Sequence, residues 1–414
     1  MSFLKKIVFF EIFVAAVFSF CIFASAEDAD LADVYKDPYG ATLCVARKGY
    51  WKEAPENSVK AVELADEYGA DMVEIDVKMT ADGVLVLMAD DTVERTCSGY
   101  SDVTAVSELT YSEISQMYLL DGQGGVLADV TEERVPTLEQ ALGAEVDCLF
   151  LIDCDTEIKD YVYNTVVSCG MLDRAVLLIR NIKSADLAEW KASLSDEPMT
   201  MVYFKGNVIF SAVSRVKNAA ESSDAVFLAT KVPYGVVFGE TVLSKAEGKI
   251  RAAADTAEPE LCGTIREDSE VWWDDLISWG YSIIITDYVP ELRAYIDECG
   301  EKREALSLLY DELVNNWELP SLKSDKYLDY KLAYNNAVSL ADGILADGSS
   351  SRSDISTAVY ELQKAYDDII NNYEDIENGT AGMTVTPVRV ALCVIAAAAV
   401  IAAQVFVYKK KRKA

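Results

Sequence analysis

The chain has 414 residues, with 69 acidic and 37 basic side chains, a net charge of −32 and no histidine. Its length suits one large domain plus a smaller one, and its negative field repels nucleic acid and draws divalent cations. The missing imidazole excludes every mechanism that needs a histidine base, acid or metal ligand.

Residues 1–26 read as a signal peptide. Lys5 and Lys6 precede an apolar run, and Ala24-Ser25-Ala26 supplies a small-x-small cleavage site. From residue 42 onward, short apolar runs alternate with helical stretches, the pattern of β-α units on a parallel sheet. Strands are predicted at 42–46, 72–77, 84–88, 148–153, 175–179, 200–203, 225–229 and 282–286, with another near 261–265 in a region that is hard to parse. Asn57 is placed to cap a helix over 58–68. Thr110-Tyr111-Ser112-Glu113 reads as a capping box opening another.

One strand carries a costly pair. Met72-Val73-Glu74-Ile75-Asp76-Val77 puts Glu74 and Asp76 on one face, where unpaired burial is expensive, so they require water, a basic partner or a metal cation. About eight β-α units in about 260 residues fit a closed (β/α)8 barrel. An open doubly wound sheet is the second choice, because no Gly-rich phosphate loop follows the first strand. Residues 27–386 contain Cys44, Cys97, Cys148, Cys154, Cys169, Cys262 and Cys299, an odd set without a C-x-x-C spacing, so a disulfide framework or zinc site is poorly supported. Cys44 is predicted to face the helix layer.

After Gly300 the pattern turns helical. Leu306, Leu309, Tyr310 and Leu313 mark one helix. Tyr330, Tyr334, Ala337, Val338 and Ala341 mark a second, and Ile355, Val359, Leu362, Ala365, Tyr366 and Ile369 a third. Breaks fall at Glu318-Leu319-Pro320 and Asp347-Gly348-Ser349-Ser350-Ser351, so 301–370 is predicted to be a small α-helical bundle. Residues 371–389 read as a polar linker, 390–408 as a transmembrane helix, and 409–414 as a basic cytoplasmic tail that leaves the large N-terminal part extracellular. The expected architecture is thus α/β: a TIM-type barrel over 40–298, the bundle, and one C-terminal membrane span.

Several motifs line up in order around Glu74 and Asp76: Val45-Ala46-Arg47-Lys48-Gly49, Pro55-Glu56-Asn57-Ser58, Thr80-Ala81-Asp82-Gly83, Val86-Leu87-Met88-Ala89-Asp90, Val135-Pro136-Thr137 and Ile285-Thr286-Asp287. Their order and spacing resemble the glycerophosphodiester phosphodiesterase family. The resemblance implies a TIM barrel that uses a divalent cation, calcium or magnesium, to hydrolyse glycerophosphodiesters. It places the metal carboxylates on Glu74, Asp76 and Asp153, with Asp153 standing where the family usually has glutamate. It places the two acid–base histidines on Arg47 and Ala89, so neither proton carrier is present. A family lysine falls on Asp155.

Arg47 and Lys48 are candidates to hold substrate phosphate. Arg47 can instead pair with Glu74 and Asp76 in place of the metal, or merely balance charge, and these two roles rank above phosphate binding. Glu56 and Asp90 are left as candidate weak bases. The reading is a membrane-anchored phosphodiester hydrolase with weak or lost activity. The alternative is a non-catalytic surface module that binds a phosphodiester or polyol, or a protein partner. The helices at 301–370 resemble FIVAR-type repeats of bacterial surface proteins through Tyr334-Asn335-Asn336-Ala337 and Ala358-Val359-Tyr360-Glu361-Leu362; a plain spacer bundle ranks above a ligand site.

Overall fold

The computed structural model describes residues 31–99, 103–206, 218–230, 250–256, 268–317, 319 and 325–378. Contacts divide the chain into two units. One runs to Glu301 and takes in Ala346–Asp354; the other comprises Lys302–Leu345 and the chain from Ile355.

In the first unit eight parallel strands close on themselves: β1 (Leu43–Ala46), β2 (Met72–Met79), β6 (Leu149–Asp155), β7 (Ala175–Arg180), β8 (Met199–Gly206), β9 (Ala225–Thr230), β10 (Arg251–Asp255) and β11 (Ile283–Thr286). β1 closes the ring by pairing with both β2 and β11. Most staves are buried on both faces, hence their near-continuous apolar sequences. Leu43, Val45, Met72, Leu149, Leu151, Val176, Leu178, Met199, Met201, Ala253, Ile283 and Ile285 pack together inside. The alternate residues face the helices, as expected for Cys44, which is buried and donates its thiol to the Val289 carbonyl at 3.9 Å.

The strand at 84–88 is not a stave. β3 (Leu85–Leu87) pairs antiparallel with β2, and the eighth stave is instead β10. Arg251-Ala-Ala-Ala-Asp255 lacks the large β-branched residues that betray a buried strand, and its charged ends disguise it. The strand expected near 261–265 lies outside the described residues.

A short helix that the sequence reading missed, α1 (Leu31–Lys36), puts Ala32 and Tyr35 into the barrel core at its N-terminal end. There the Tyr35 hydroxyl donates to the Thr200 carbonyl at 3.0 Å. Beside it the buried Arg251 donates to the carbonyls of Ala41, Ser282 and Val34.

The first outer helix, α2 (Val59–Glu67), is capped by Ser58, whose side chain accepts from the Ala61 amide; Asn57 is freed for another task. Between β3 and β6, a one-turn helix α3 (Tyr111–Ile114), the hairpin β4 (Tyr118–Leu120) with β5 (Val130–Arg134), and α4 (Leu138–Leu142) follow in order. The predicted capping box opens α3, with Glu113 reaching back to Thr110. This insertion has its own small core around Val86, Met88, Val93, Ile114, Leu119 and Val135. Among the described residues the remaining outer helices of this unit are α5 (Lys159–Ser168), α6 (Ser184–Ala192), α7 (Glu270–Ser278) and the first half of α8 (Val289–Tyr310).

The second unit is helical, built from the end of α8, α9 (Asp325–Ala346) and α10 (Arg352–Asn378). Leu306, Leu313, Tyr334, Ala337, Ala341, Leu362, Ala365 and Ile369 are buried in it, and Trp317 sets its ring edge-on to Tyr334 and Tyr366. The expected linker begins late, because α10 continues to Asn378. Residues 1–26 and 390–414 lie outside the described residues, and among the described residues no helix is long and apolar enough to cross a membrane.

Candidate functional site

The inward face of β2 runs Met72, Glu74, Asp76, so the apolar core ends where the two acids begin. β6 repeats the pattern with Leu149, Leu151, Asp153 and Asp155, and the parallel register sets Asp76 opposite Asp153. Glu74 and Asp153 are 6 % and 4 % exposed. One carboxylate oxygen from each of Glu74, Asp76 and Asp153 lies within 4.8 Å of the others, a grouping that could hold a metal ion. Those acids line a cavity of about 440 Å³ at the C-terminal mouth of the barrel, together with Arg47, Lys48, Lys78, Ala89, Asp90 and Arg180.

Two left-handed residues hold the Glu74 and Asp76 carboxylates. Lys48, at φ 58°, turns its amide to Glu74 Oε2 at 2.9 Å. Asn57, also at φ 58° and 2 % exposed, donates its amide nitrogen to Asp76 Oδ2 at 2.9 Å and accepts from the Asp76 backbone amide at 2.9 Å. Burial, then the charges of Asp76 and Asp153, push the Glu74 carboxyl well above the usual carboxylate range. Burial also raises Asp153, to about 6, against the pull of Arg180.

Arg47 does not pair with these acids. β1 lies beside β11, and the Arg47 guanidinium reaches across to Asp287, at 2.9 and 3.1 Å, with Asp255 at 3.8 Å. Burial works against its charge, but Asp255 and Asp287 outweigh that cost and raise its pKa. Trp51 Nε1 donates to the same Asp287 oxygen at 2.8 Å. Arg47 therefore balances a different pair of acids, and the substitute-cation expectation for it is corrected.

The candidate bases are also committed. Arg95 bridges Asp90 and the buried Glu56, and Lys48 Nζ lies 3.5 Å from Glu56. A carboxylate whose lone pairs point into a guanidinium is a poor proton acceptor. Ala89 stands beside Asp90 with only a methyl group.

The cation that does reach the cluster is Arg180, which the sequence reading missed. It ends β7, in register with Asp155, and its guanidinium grips both Asp153 oxygens: Nε donates at 2.6 and 2.8 Å, and Nη2 donates to Oδ2 as well. The available signal was a charged residue just past the predicted strand 175–179, at the end of a barrel strand where function collects. Lys78 was missed too. It lies 3.2 Å from Asp155, the residue on which the family lysine falls by resemblance, and 2.6 Å from Asp91.

As a donor set for a divalent cation the cluster is therefore divided. Glu74 and Asp76 offer hard oxygens, met only by an amide donor each in the contacts above, whereas both oxygens of Asp153 face a fixed positive charge. A three-carboxylate metal site does not fit while Arg180 holds that geometry.

Comparison with known proteins bears on this barrel. A family model described as the glycerophosphoryl diester phosphodiesterase family matches residues 48–289. A glycerophosphodiester phosphodiesterase of Caldanaerobacter subterraneus is 37% identical over 122 residues, 30% of this chain and 48% of the relative. Glycerophosphodiester phosphodiesterase 1 of Bos taurus is 34% identical over 158 residues, 34% of this chain and 46% of the relative. The chain thus spans about half the length of these curated relatives. A glycerophosphoryl diester phosphodiesterase structure from Parabacteroides distasonis shares the fold, with a TM-score of 0.53 at 22% identity over 65% of this chain and 90% of that one.

Proposed function

The chain belongs to the glycerophosphoryl diester phosphodiesterase family, and on that premise we propose that its barrel mouth receives a small glycerophosphodiester and hydrolyses it weakly at best. The observation that carries this is one cavity lined by Lys48, Lys78, Arg180, Glu74 and Asp76 in a chain with no histidine. The ammonium groups of Lys48 and Lys78 suit a phosphodiester anion, and the carboxylates suit glycerol hydroxyls as hydrogen-bond acceptors.

Proton transfer is the missing function. The cavity wall carries the Ala89 methyl where the family resemblance puts a proton carrier, and Glu56 and Asp90 are tied to Arg95. A positioned acid or base contributes about 10²- to 10⁴-fold in rate, so losing a pair that acts together leaves turnover at least about 10²-fold below the usual range of about 1–10³ s⁻¹. The proposal includes an outward-facing location with residues 390–408 as anchor, supported by the apolar run and the basic cluster after it.

The test is calorimetric binding of glycerophosphocholine to the full chain, with choline release followed in parallel. Saturable binding that weakens about tenfold in Lys48→Ala/Lys78→Ala, with turnover below about 0.01 s⁻¹, is expected. Turnover in the ordinary range would overturn the view of a poor catalyst, and no binding would overturn the ligand class.

A further inference from the structure

We propose that Arg180 is the resident cation of the Glu74–Asp76–Asp153 cluster, and that the barrel mouth therefore receives a phosphodiester without a divalent metal. The inference rests on the family reading of this cluster as the place of a cation.

Three observations converge on Arg180. Its guanidinium is bidentate on Asp153, the geometry in which a planar fork matches a carboxylate. An aromatic ring holds it as well: the Arg180 guanidinium carbon sits 4.6 Å from the centre of the Tyr203 ring, and that ring stacks on Phe227 at 5.0 Å. Its backbone is fixed, since the Arg180 carbonyl accepts from the Thr156 hydroxyl at 2.5 Å. The side chain is thus clamped by a carboxylate and an aromatic face, rather than lying loose over the cavity.

Electrostatics gives the same answer. A divalent ion seeking three carboxylates would have to displace Arg180, breaking the fork with Asp153 and bringing two further positive charges beside the guanidinium. A ligand phosphate can leave the fork with Asp153 in place, although it enters a cavity that seven carboxylates also line. It finds a guanidinium with further N–H donors in one plane, beside the ammonium of Lys78.

Calcium and magnesium titrated into the full chain provide the test, read by calorimetry and by the shift in melting midpoint, with Glu74→Gln as the control for binding elsewhere on an acidic surface. The wild-type protein is expected to show no Glu74-dependent binding at millimolar calcium. Arg180→Gln is expected to gain Glu74-dependent calcium binding in the submillimolar range, and Arg180→Lys, which keeps a charge but loses the fork, a weaker gain. Glu74-dependent micromolar binding by the wild type overturns the proposal whatever the variants do. So does a folded Arg180→Gln protein that gains nothing; if that variant does not fold, Arg180→Lys decides in the same way. Glycerophosphocholine binding should be equal in EDTA and in calcium. If it is absent from both, the proposed ligand fails while the metal titration still decides the role of Arg180.

Discussion

Asn57 shows how much of the site depends on single residues. It adopts a left-handed conformation that costs an ordinary side chain about 1–2 kcal/mol, and from there reaches both the side chain and the backbone amide of Asp76. Asn57→Ala removes both bonds inside a buried pocket, where an unsatisfied group costs about 1–3 kcal/mol, so a loss of about 3 kcal/mol is expected from the urea midpoint. Asn57→Gly also loses the bonds but relaxes the backbone, and should be the more stable variant by about 1 kcal/mol. Equal midpoints would show that φ carries no cost there. At this scale the sequence is only partly legible. Glu74 and Asp76 are readable because acids in an apolar strand are conspicuous, whereas Asp153 is reached through the family resemblance. Arg47 is conspicuous too, yet its partner is set by strand order, since β11 beside β1 offers Asp287. Arg180 has no local signal beyond its place at a strand end, and its pairing with Asp153 exists only through the β6–β7 register.

Elements follow the same rule. Most staves are legible because burial on both faces demands apolar runs, and the capping box of α3 is a local signal that tertiary structure does not override. β10 escapes notice because three alanines and two charges do not resemble a strand, and β3 is mistaken for a stave because an antiparallel neighbour has the same composition. The helix α1 is too short to announce itself, but it closes the barrel floor with Tyr35. Tyr35→Ala should cost about 3–5 kcal/mol, as for other fully buried aromatics, and Tyr35→Phe only about 1 kcal/mol for the bond to Thr200, both read from denaturant midpoints. A loss below about 1 kcal/mol in the alanine variant would mean that α1 does not close the floor.

For the whole molecule, charge is the most legible property. Acidic residues outnumber basic ones by nearly two to one, and the barrel mouth keeps that balance, with Arg47, Lys48, Lys78 and Arg180 set among seven acidic side chains. No composition reveals which cations are brought there, because these four side chains come from three separate strand ends. Residues 390–413, an apolar run closed by Lys409-Lys410-Lys411-Arg412-Lys413, carry the proposed attachment. In a cell fractionation the full chain should sediment with membranes and resist high salt, whereas a chain lacking 387–414 should not. Equal distribution of the two would remove the anchor from the proposal.

The clamp of Arg180 between Asp153 and Tyr203 has a consequence for how the site is supplied. An ion must be captured from the surroundings, can be chelated away, and varies with what the medium contains. A guanidinium arrives with translation, one per chain, and leaves only by mutation. On the proposed role of Arg180, a site whose counter-charge is inherited in this way binds its ligand alike in calcium-poor and calcium-rich surroundings.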